Sequence, residues 1–552
     1  MRGSSKIPNI PCKLHDAFSS TMAYAESFLW LLQFLVAGIV LPFIAFRILL
    51  KQHQHPPGPR GLPIIGNTHQ APRPFSWKWY EALRNRYGRI FRLRVLGDNF
   101  VILNDPKVAE DILGRRSINY SSRKFLPYAG YYRSGNRRMI LMQYGEDFKR
   151  QRAAIQMLFR PEGIVSNRLR QEQQAKKFLF SLLNTPNEYA VHLKRYSAGI
   201  ALGVTFGMSI EAAELEALNL LNNTAAVGAD LFPGLWLVDM FPWLETLPDW
   251  LAPWRLNAIA KHEGEVELFS RFASHARPQR PGILQTKALV AQWWDMQEEI
   301  GLDDKSILYT GGSVGEAGTN TTACLLHCFL LACTIKPDVV RKAQEEIDRV
   351  VGSRAPAFED FNDMPFLFAV TKELLRWIPV TPLSFPHLAS QDDEYDGLYI
   401  PQNSQVVTLK AIKASIWNMH RDPKNFSDPA VFDPMRWFDP TPDGKVREDA
   451  SLFDGIWTFG FGRRSCPGKR LAVDSVWIAI AHLLWAFDIV DKDPENASKL
   501  SADDIDANLT WRDAVNIEPR VLDVVISPRT AEKAKKIREE WDAVRSHQSG
   551  MI

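Results

Sequence analysis

The chain has 552 residues, 46% of them apolar and 23% charged, and its 66 Lys and Arg stand against 63 Asp and Glu for a formal net charge of +3. That make-up excludes global disorder, collagen-like repeats and low-complexity character, and so even a charge balance gives no support to a nucleic-acid partner. The five cysteines, Cys12, Cys324, Cys328, Cys333 and Cys466, are too few for a disulfide scaffold and form no C-x-x-C pair, which argues against zinc-ribbon and thioredoxin-type sites and suits reduced thiols facing cytosol.

Residues 1–27 form a short N-terminal segment. The run from Phe28 to Phe46 carries no charge, and at 1.5 Å per residue it is about 28 Å long, close to the bilayer core. A single transmembrane helix is therefore expected over 28–50. A cleaved signal peptide has a shorter apolar core and a small-residue cleavage site, whereas this run ends in Arg47, Lys51 and prolines. Residues 51–67 read as a basic, proline-rich hinge, with Pro56, Pro57, Pro59 and Pro63 fixing an extended, semi-rigid backbone.

From 68 to 530 no repeat or long linker divides the chain. A strand pair is expected near Ile90 to Leu103, and helical periodicity recurs, as over Glu345–Val351 and Val473–Ala486. The fold class is mainly α with minor β. The Trp-rich run from Leu231 to Trp254 has two open readings, a core-packed loop or a surface that dips into a membrane. Residues 531–552 read as a charged C-terminal tail, a solvated helix without chemistry.

Chemistry concentrates late in the chain. Phe459-Gly460-Phe461-Gly462-Arg463-Arg464-Ser465-Cys466-Pro467-Gly468 embeds one cysteine among glycines and arginines. Glycines let backbone approach a flat ligand closely, and amide N–H groups with nearby positive charge favour a thiolate. A thiolate so placed is a strong axial ligand for haem iron. Gly460-x-Gly462-x-x-Ser465 comes near a dinucleotide fingerprint, but the third glycine and the surrounding βαβ unit are missing.

The segment resembles the haem-binding loop F-x-x-G-x-R-x-C-x-G of the cytochromes P450 at every specified position. Glu373-Leu374-Leu375-Arg376 matches the family's E-x-x-R, and Phe432-Asp433-Pro434-Met435-Arg436-Trp437 its F-x-P-x-R-F/W stretch. Gly315-Glu316-Ala317-Gly318-Thr319-Asn320-Thr321-Thr322 resembles the oxygen-activating kink A/G-G-x-D/E-T-T/S, with Asn320 at the acidic position. The resemblance covers about residues 56–530 and is nearest to fungal microsomal members of secondary metabolism.

It implies a cytochrome P450 fold behind a single N-terminal transmembrane helix, and haem b held by the Cys466 thiolate. Phe459, Gly462 and Gly468 of the loop belong to the implied cofactor site, and Arg152, His387 and Arg464 are the implied propionate partners. Phe148 replaces the usual Trp four residues before Arg152. Glu373, Arg376 and Arg436 are the implied buried ion-pair support of the loop. Thr321 is the implied proton-passing hydroxyl; Asn320 cannot shuttle protons as a carboxylate does, and Glu316, one helical turn earlier, is the candidate substitute through water.

The activity implied is insertion of one oxygen from O2 into a lipophilic molecule of terpenoid, steroid or polyketide type. Electrons come from an NADPH-cytochrome P450 reductase, with cytochrome b5 a further candidate, at the endoplasmic reticulum membrane with the body facing cytosol. The alternatives are desaturation, rearrangement or peroxide-dependent oxidation on the same cofactor, and a membrane-tethered haem binder or sensor. The pocket is expected to be lined by Phe125–Tyr132, Gly312–Ala317, Val380–Ser384 and Trp511–Val515.

Overall fold

The computed structural model describes residues 38, 54–63, 65–72, 77–95, 98–231, 235–276, 287–402, 410–438, 451–497, 499–512 and 515–549. Segment 1–27 and the predicted span 28–50 lie outside these residues apart from Gly38. The chain separates into two units, Met1–His55 with Asp396–Tyr399, and Pro56–Tyr395 with Ile400–Ile552. In the first, the Tyr399 amide donates to the Gln54 carbonyl at 2.8 Å and the Tyr399 ring lies 5.5 Å from that of His55.

The second unit carries helices α1 (Trp77–Tyr87), α2 (Glu146–Gln156), α3 (Pro161–Asn184), α4 (Tyr189–Phe206), α5 (Ile210–Asp230), α6 (Pro253–Ser274), α7 (Asp304–Ile335), α8 (Pro337–Val351), α9 (Pro365–Trp377), α10 (Lys469–Ala486) and α11 (Ala531–Ser549), besides shorter turns. Its strands are β1 (Ile90–Val95), β2 (Asp98–Leu103), β3 (His387–Leu388), β4 (Lys410–Ala414), β5 (Phe487–Asp491), β6 (Leu509–Trp511), β7 (Ile517–Pro519) and β8 (Val524–Pro528). One sheet runs in the order β1-β2-β4-β3, and β5–β8 and β6–β7 form separate antiparallel pairs. The expected strand pair is β1–β2, antiparallel with Ile90 opposite Leu103, and β4 joins parallel to β2 with Leu103 opposite Ala414. Alternation is the cause: Phe91 and Leu93 are buried while Arg92 and Arg94 point to the other face.

Helix α7 is the spine. Asp303 caps it, its carboxylate accepting from the Ser306 amide at 2.6 Å, and its second half, Thr322–Thr334, is apolar all round and buried throughout. Among the described residues it is the one helix long and apolar enough to cross a membrane, yet 83% of that stretch is buried inside the protein, so it is a core helix. It packs on α4, α5, α6 and α10. Trp293, Trp377, Trp417, Trp477 and Trp485 are fully buried, and each such side chain contributes about 2–3 kcal/mol of transfer free energy. Cys324, Cys328 and Cys333 are also core residues of α7, and no trio of His, Cys, Asp or Glu among the described residues forms a metal site.

Two boundaries differ from expectation. The hinge does not stand off as a spacer: the Arg92 amide donates to Pro57 O at 2.7 Å, the Asn67 amide to Arg94 O at 2.5 Å, and the Arg94 amide back to Asn67 Oδ1 at 2.9 Å. Pro57 and Asn67 thus both bond the edge of β1, the chain between them turning back through the Leu62–Gly66 bridge, and a Cβ on Gly58 would sit 2.0 Å from the Arg92 carbonyl oxygen. The C-terminal helix is not wholly solvated. Ile537, Trp541 and Val544, spaced for one helical face, are buried; Trp541 lies 5.9 Å from the Phe180 ring of α3, and Lys176 pairs with Glu540 at 2.8 Å. The hinge from Pro56 onward and the C-terminal helix fall in the same unit.

The Trp-rich run divides between packed and exposed side chains. Trp236 stacks on Tyr128 at 3.7 Å, and Trp254 meets Tyr132 edge-on at 5.6 Å. Trp243 and Trp250 remain 65% and 79% exposed, beside exposed Leu235, Leu237 and Leu251.

Candidate active site

The loop 457–468 precedes α10 and is anchored from behind. Its Gly460 and Gly462 take positive φ, 71° and 55°, which only glycine adopts without strain. At Gly462 the space is also closed, since a Cβ would lie 2.1 Å from Leu113 O. Gly462 therefore packs the loop against the backbone of residues 113–114 and does not line the cavity, unlike its implied cofactor role. Gly462→Ala is expected to lower the yield of folded, haem-loaded protein severalfold. Absorbance of the haem band per mole of protein checks this, and an unchanged ratio would count against the packing argument.

The anchor is a buried ion-pair cluster. Arg376 places two N–H groups on Glu373, at 2.8 and 2.6 Å, and gives others to the carbonyls of His420, Pro429 and Val431 at 3.2, 2.7 and 3.0 Å. Arg436 Nε reaches Glu373 Oε1 at 3.0 Å, and Trp437 Nε1 reaches Oε2 at 3.1 Å. Glu373 and Arg376 are both fully buried. The cluster is tied to the loop twice: the Trp457 amide donates to His420 Nε2 at 3.0 Å, and Thr458 Oγ1 donates to Leu375 O at 2.6 Å. The neighbouring Arg421 pairs with Asp506 at 2.9 Å.

Cys466 faces an internal cavity of about 410 Å3. Its amide donates to Phe459 O at 2.8 Å. Burial pushes the thiol up, against the Gly468 amide and Arg152, which pull it down. Desolvation thus opposes the local positive field that favours the thiolate.

Arg123, Arg152, His387 and Arg464 line the same cavity. Arg152 donates to Ser465 O at 2.9 Å; Arg464 donates to the carbonyls of Ser121, Met139 and Met142 at 2.7, 3.0 and 2.6 Å; Arg123 donates to Pro386 O at 2.5 Å; and His387 Nδ1 bonds Tyr120 O at 2.7 Å. Among the described residues none of the four pairs with a carboxylate. Burial, with Arg152 adding to it, depresses Arg464 to about 9, and burial beside Arg123 and Arg464 holds His387 well below the usual imidazole range. Buried cations packed together without anions are several kcal/mol from comfort, and they fit a ligand that brings negative charge. Where the resemblance expects Trp, Phe148 instead stacks under the Arg464 guanidinium, 3.6 Å from its ring centroid.

The opposite wall is α7. Glu316, Asn320 and Thr321 all line the cavity. The helix runs unbroken through Ala317 and Gly318, so the expected opening is absent from this conformation, and Thr321 Oγ1 donates to Ala317 O at 2.7 Å. Glu316 is buried, accepts from Asn223 Nδ2 at 2.7 Å and pairs with Arg138. Arg138 also holds Glu265 at 2.7 Å, and Glu265 accepts from Arg133 at 2.5 Å and Tyr309 at 3.0 Å. Burial raises Glu316 to about 7, against the pull of Arg138.

The structure thus brings together Cys466, Arg152, His387, Arg464, Phe459, Gly468, Glu316, Asn320 and Thr321, and sets Gly462, Glu373, Arg376 and Arg436 behind them. Val380, Thr381, Ser384 and Val515 line the cavity as expected; Phe125–Tyr132 and Trp511 do not, and their place is taken by Arg123, Arg138, Met139 and Ile140. Arg123 and Arg138 escaped the sequence analysis. Their segment has no motif, and its one signal is the density of cations between Arg123 and Arg138 in an otherwise apolar stretch.

A soft thiol on one wall, uncompensated cations at the edge and otherwise apolar sides fit an apolar, dianionic metal macrocycle such as haem. Comparison with known proteins agrees. The family model described as Cytochrome P450 matches residues 56–504. The chain is similar to Cytochrome P450 monooxygenase claR of Ampulloclitocybe clavipes, 33% identical over 82% of this chain and 83% of that one. It is also similar to Cytochrome P450 monooxygenase 253 of Postia placenta, 33% identical over 90% and 95% of the two chains, and to Cytochrome P450 monooxygenase aneD of Aspergillus aculeatus, 32% identical over 90% and 92%.

Proposed function

We propose, on the premise that the chain belongs to the cytochrome P450 family of haem-thiolate monooxygenases, that it inserts one oxygen atom from O2 into a lipophilic small molecule of terpenoid, steroid or polyketide type in fungal secondary metabolism. The observation that carries this is that Cys466 and Thr321 line one largely apolar cavity with Arg123, Arg152 and Arg464, none of which pairs with a carboxylate among the described residues. Electrons come from an NADPH-cytochrome P450 reductase, with cytochrome b5 as a further donor. Segment 28–50 anchors the protein in the endoplasmic reticulum membrane with the body in the cytosol. Exposed Leu237, Trp243 and Trp250 suit a second contact with the same bilayer.

Haem b, ligated by the Cys466 thiolate, supplies the activation of dioxygen. Arg123, Arg152 and Arg464 would hold the propionates by charge-assisted bonds, and His387 would join them by taking up a proton at Nε2 beside their negative charge. Glu373, Arg376 and Arg436 fix the loop that presents Cys466. Apolar side chains such as Ile200, Val314 and Val380 keep water from the reacting carbon. Thr321 presents a hydroxyl to the cavity, and since that hydroxyl donates to Ala317 O its oxygen would accept a hydrogen bond from a proton donor there. Glu316 stores the proton, since Asn320 holds none.

Two outcomes follow. Thr321→Ala lowers product per NADPH several-fold and raises peroxide release, measured with added reductase. Glu316 binds its proton up to pH about 7 in the fold but only to about 4.3 in the unfolded chain. The folded state therefore holds the extra proton between those values, and this group's stabilising contribution is lost as pH rises through about 7. Coupling of NADPH use to product should fall over the same rise, and Glu316→Gln should flatten that profile. A profile unchanged in the variant would remove Glu316 from the scheme.

A second reading rests on Asn320. An amide at the acidic position fits desaturation, rearrangement or peroxide-dependent oxidation on the same cofactor. A product free of gas-derived oxygen would favour it.

A further inference from the structure

Ser313 stands eight residues before Thr321 on α7 and also lines the cavity, and its hydroxyl is buried with no partner among the described residues. Its neighbours on the helix behave differently. Thr310, Thr319 and Thr321 each turn back to the carbonyl four residues earlier, at 2.6, 2.7 and 2.7 Å. A buried hydroxyl that declines this local bond is costly to leave unmet, so its partner belongs to whatever fills the cavity.

Arg138 also lines the cavity and meets α7 on either side of Ser313, at Tyr309, whose ring lies 5.9 Å from the guanidinium, and at Glu316. Arg138 gives Nη1 to Glu316, Nη2 to Glu265 at 2.7 Å and Nε to Ser134 Oγ at 3.4 Å, and a guanidinium has five N–H groups to give. Val227, Leu231 and Val314 of the same lining are apolar. In such a chamber a hydrophobic molecule gains little from one rotation over another, while a single polar anchor selects among them.

We propose that Ser313 and Arg138 form a polar subsite that binds an oxygen atom of the substrate, a hydroxyl or carbonyl, remote from the carbon to be oxidised. This rests on the haem-thiolate reading above. Ser313 and Thr321 lie about 12 Å apart along the helix at 1.5 Å per residue. The substrate is therefore an elongated apolar molecule already oxygenated at one end and attacked near the other, and the anchored oxygen decides which carbon meets Thr321.

The test needs no knowledge of the natural substrate. Imidazoles carrying N-alkyl tails of increasing length, ending in either methyl or hydroxyl, are titrated into the haem-loaded full-length protein, and binding is read from the Soret shift of nitrogen ligation. The ring fixes one end at the iron, so the tail measures reach. Hydroxyl tails should bind more weakly than methyl tails at short lengths, and about tenfold more tightly at one longer length, a difference of about 1.4 kcal/mol. Ser313→Ala should abolish that gain, and Arg138→Lys, which keeps the charge, should reduce it. Hydroxyl tails no better than methyl tails at every length would overturn the subsite, as would an optimum that Ser313→Ala leaves unchanged. Absence of a Soret shift with every imidazole would instead overturn the haem-thiolate reading itself.

Discussion

Cys466→Ser removes the red-shifted Soret band that thiolate ligation gives the reduced, carbonyl-bound protein, and oxidation falls to the background of free haem. The cations at Arg123, Arg152 and Arg464 and the apolar walls remain in this variant, so some haem is retained and the loss is traceable to the ligand. A hydroxyl is a poor replacement because it does not ionise near neutral pH, whereas a metal readily deprotonates the thiol. Retention of the thiolate-type band in Cys466→Ser would place the ligand elsewhere, and Cys324, Cys328 and Cys333 offer no substitute because all three are enclosed in the core of α7.

Glu373→Gln has the second largest effect, although Glu373 does not line the cavity. The carboxylate receives both Arg376 and Arg436, with Trp437 Nε1 and the Asp433 amide. Taking away its charge leaves two guanidinium groups facing each other out of water, at a cost of about 3–5 kcal/mol, a large share of the about 5–15 kcal/mol by which domains are stable. The expected result is a marked drop in the denaturant midpoint with little change in slope, together with poor haem loading. Arg376→Lys should fall between, since an ammonium keeps the charge but cannot serve Glu373 and three carbonyls at once. A midpoint unchanged in Glu373→Gln would mean that the cluster does not support the loop.

The parts of this molecule that were legible in sequence are those where chemistry or strain dictates residue type at fixed spacing. The loop around Cys466, the Glu373–Arg376 pair and the Thr321 region belong to that class. The β1–β2 hairpin was legible because side chains alternate with period two. The core character of α7 was harder to read, since a buried helix and a membrane span share a composition, and only packing on α4, α5, α6 and α10 separates them.

Other features depend on tertiary placement and leave no local pattern. Arg123 and Arg138 become site residues because their segment folds over the cavity, and nothing in their neighbours announces it. Gly462 sits in a motif that suggests contact with a cofactor, yet the nearest obstacle to a side chain is the Leu113 carbonyl. The prolines of the hinge implied an extended spacer; they could not show that the chain would turn back at Leu62–Gly66 and that Pro57 and Asn67 would bond β1. In the C-terminal helix three apolar residues among many charges were enough to dock it, because Phe180 of α3 offers Trp541 a surface.

The most direct measurement of the central claim uses isotopically heavy oxygen gas. The chain would be produced with a reductase in a fungal host, and its metabolites compared with those of the Cys466→Ser variant. The account predicts a new product containing one oxygen atom from the gas, absent from the variant. A new product whose added oxygen comes from water, or one with no added oxygen, would contradict monooxygenation and leave Asn320 as the residue to restore to Asp.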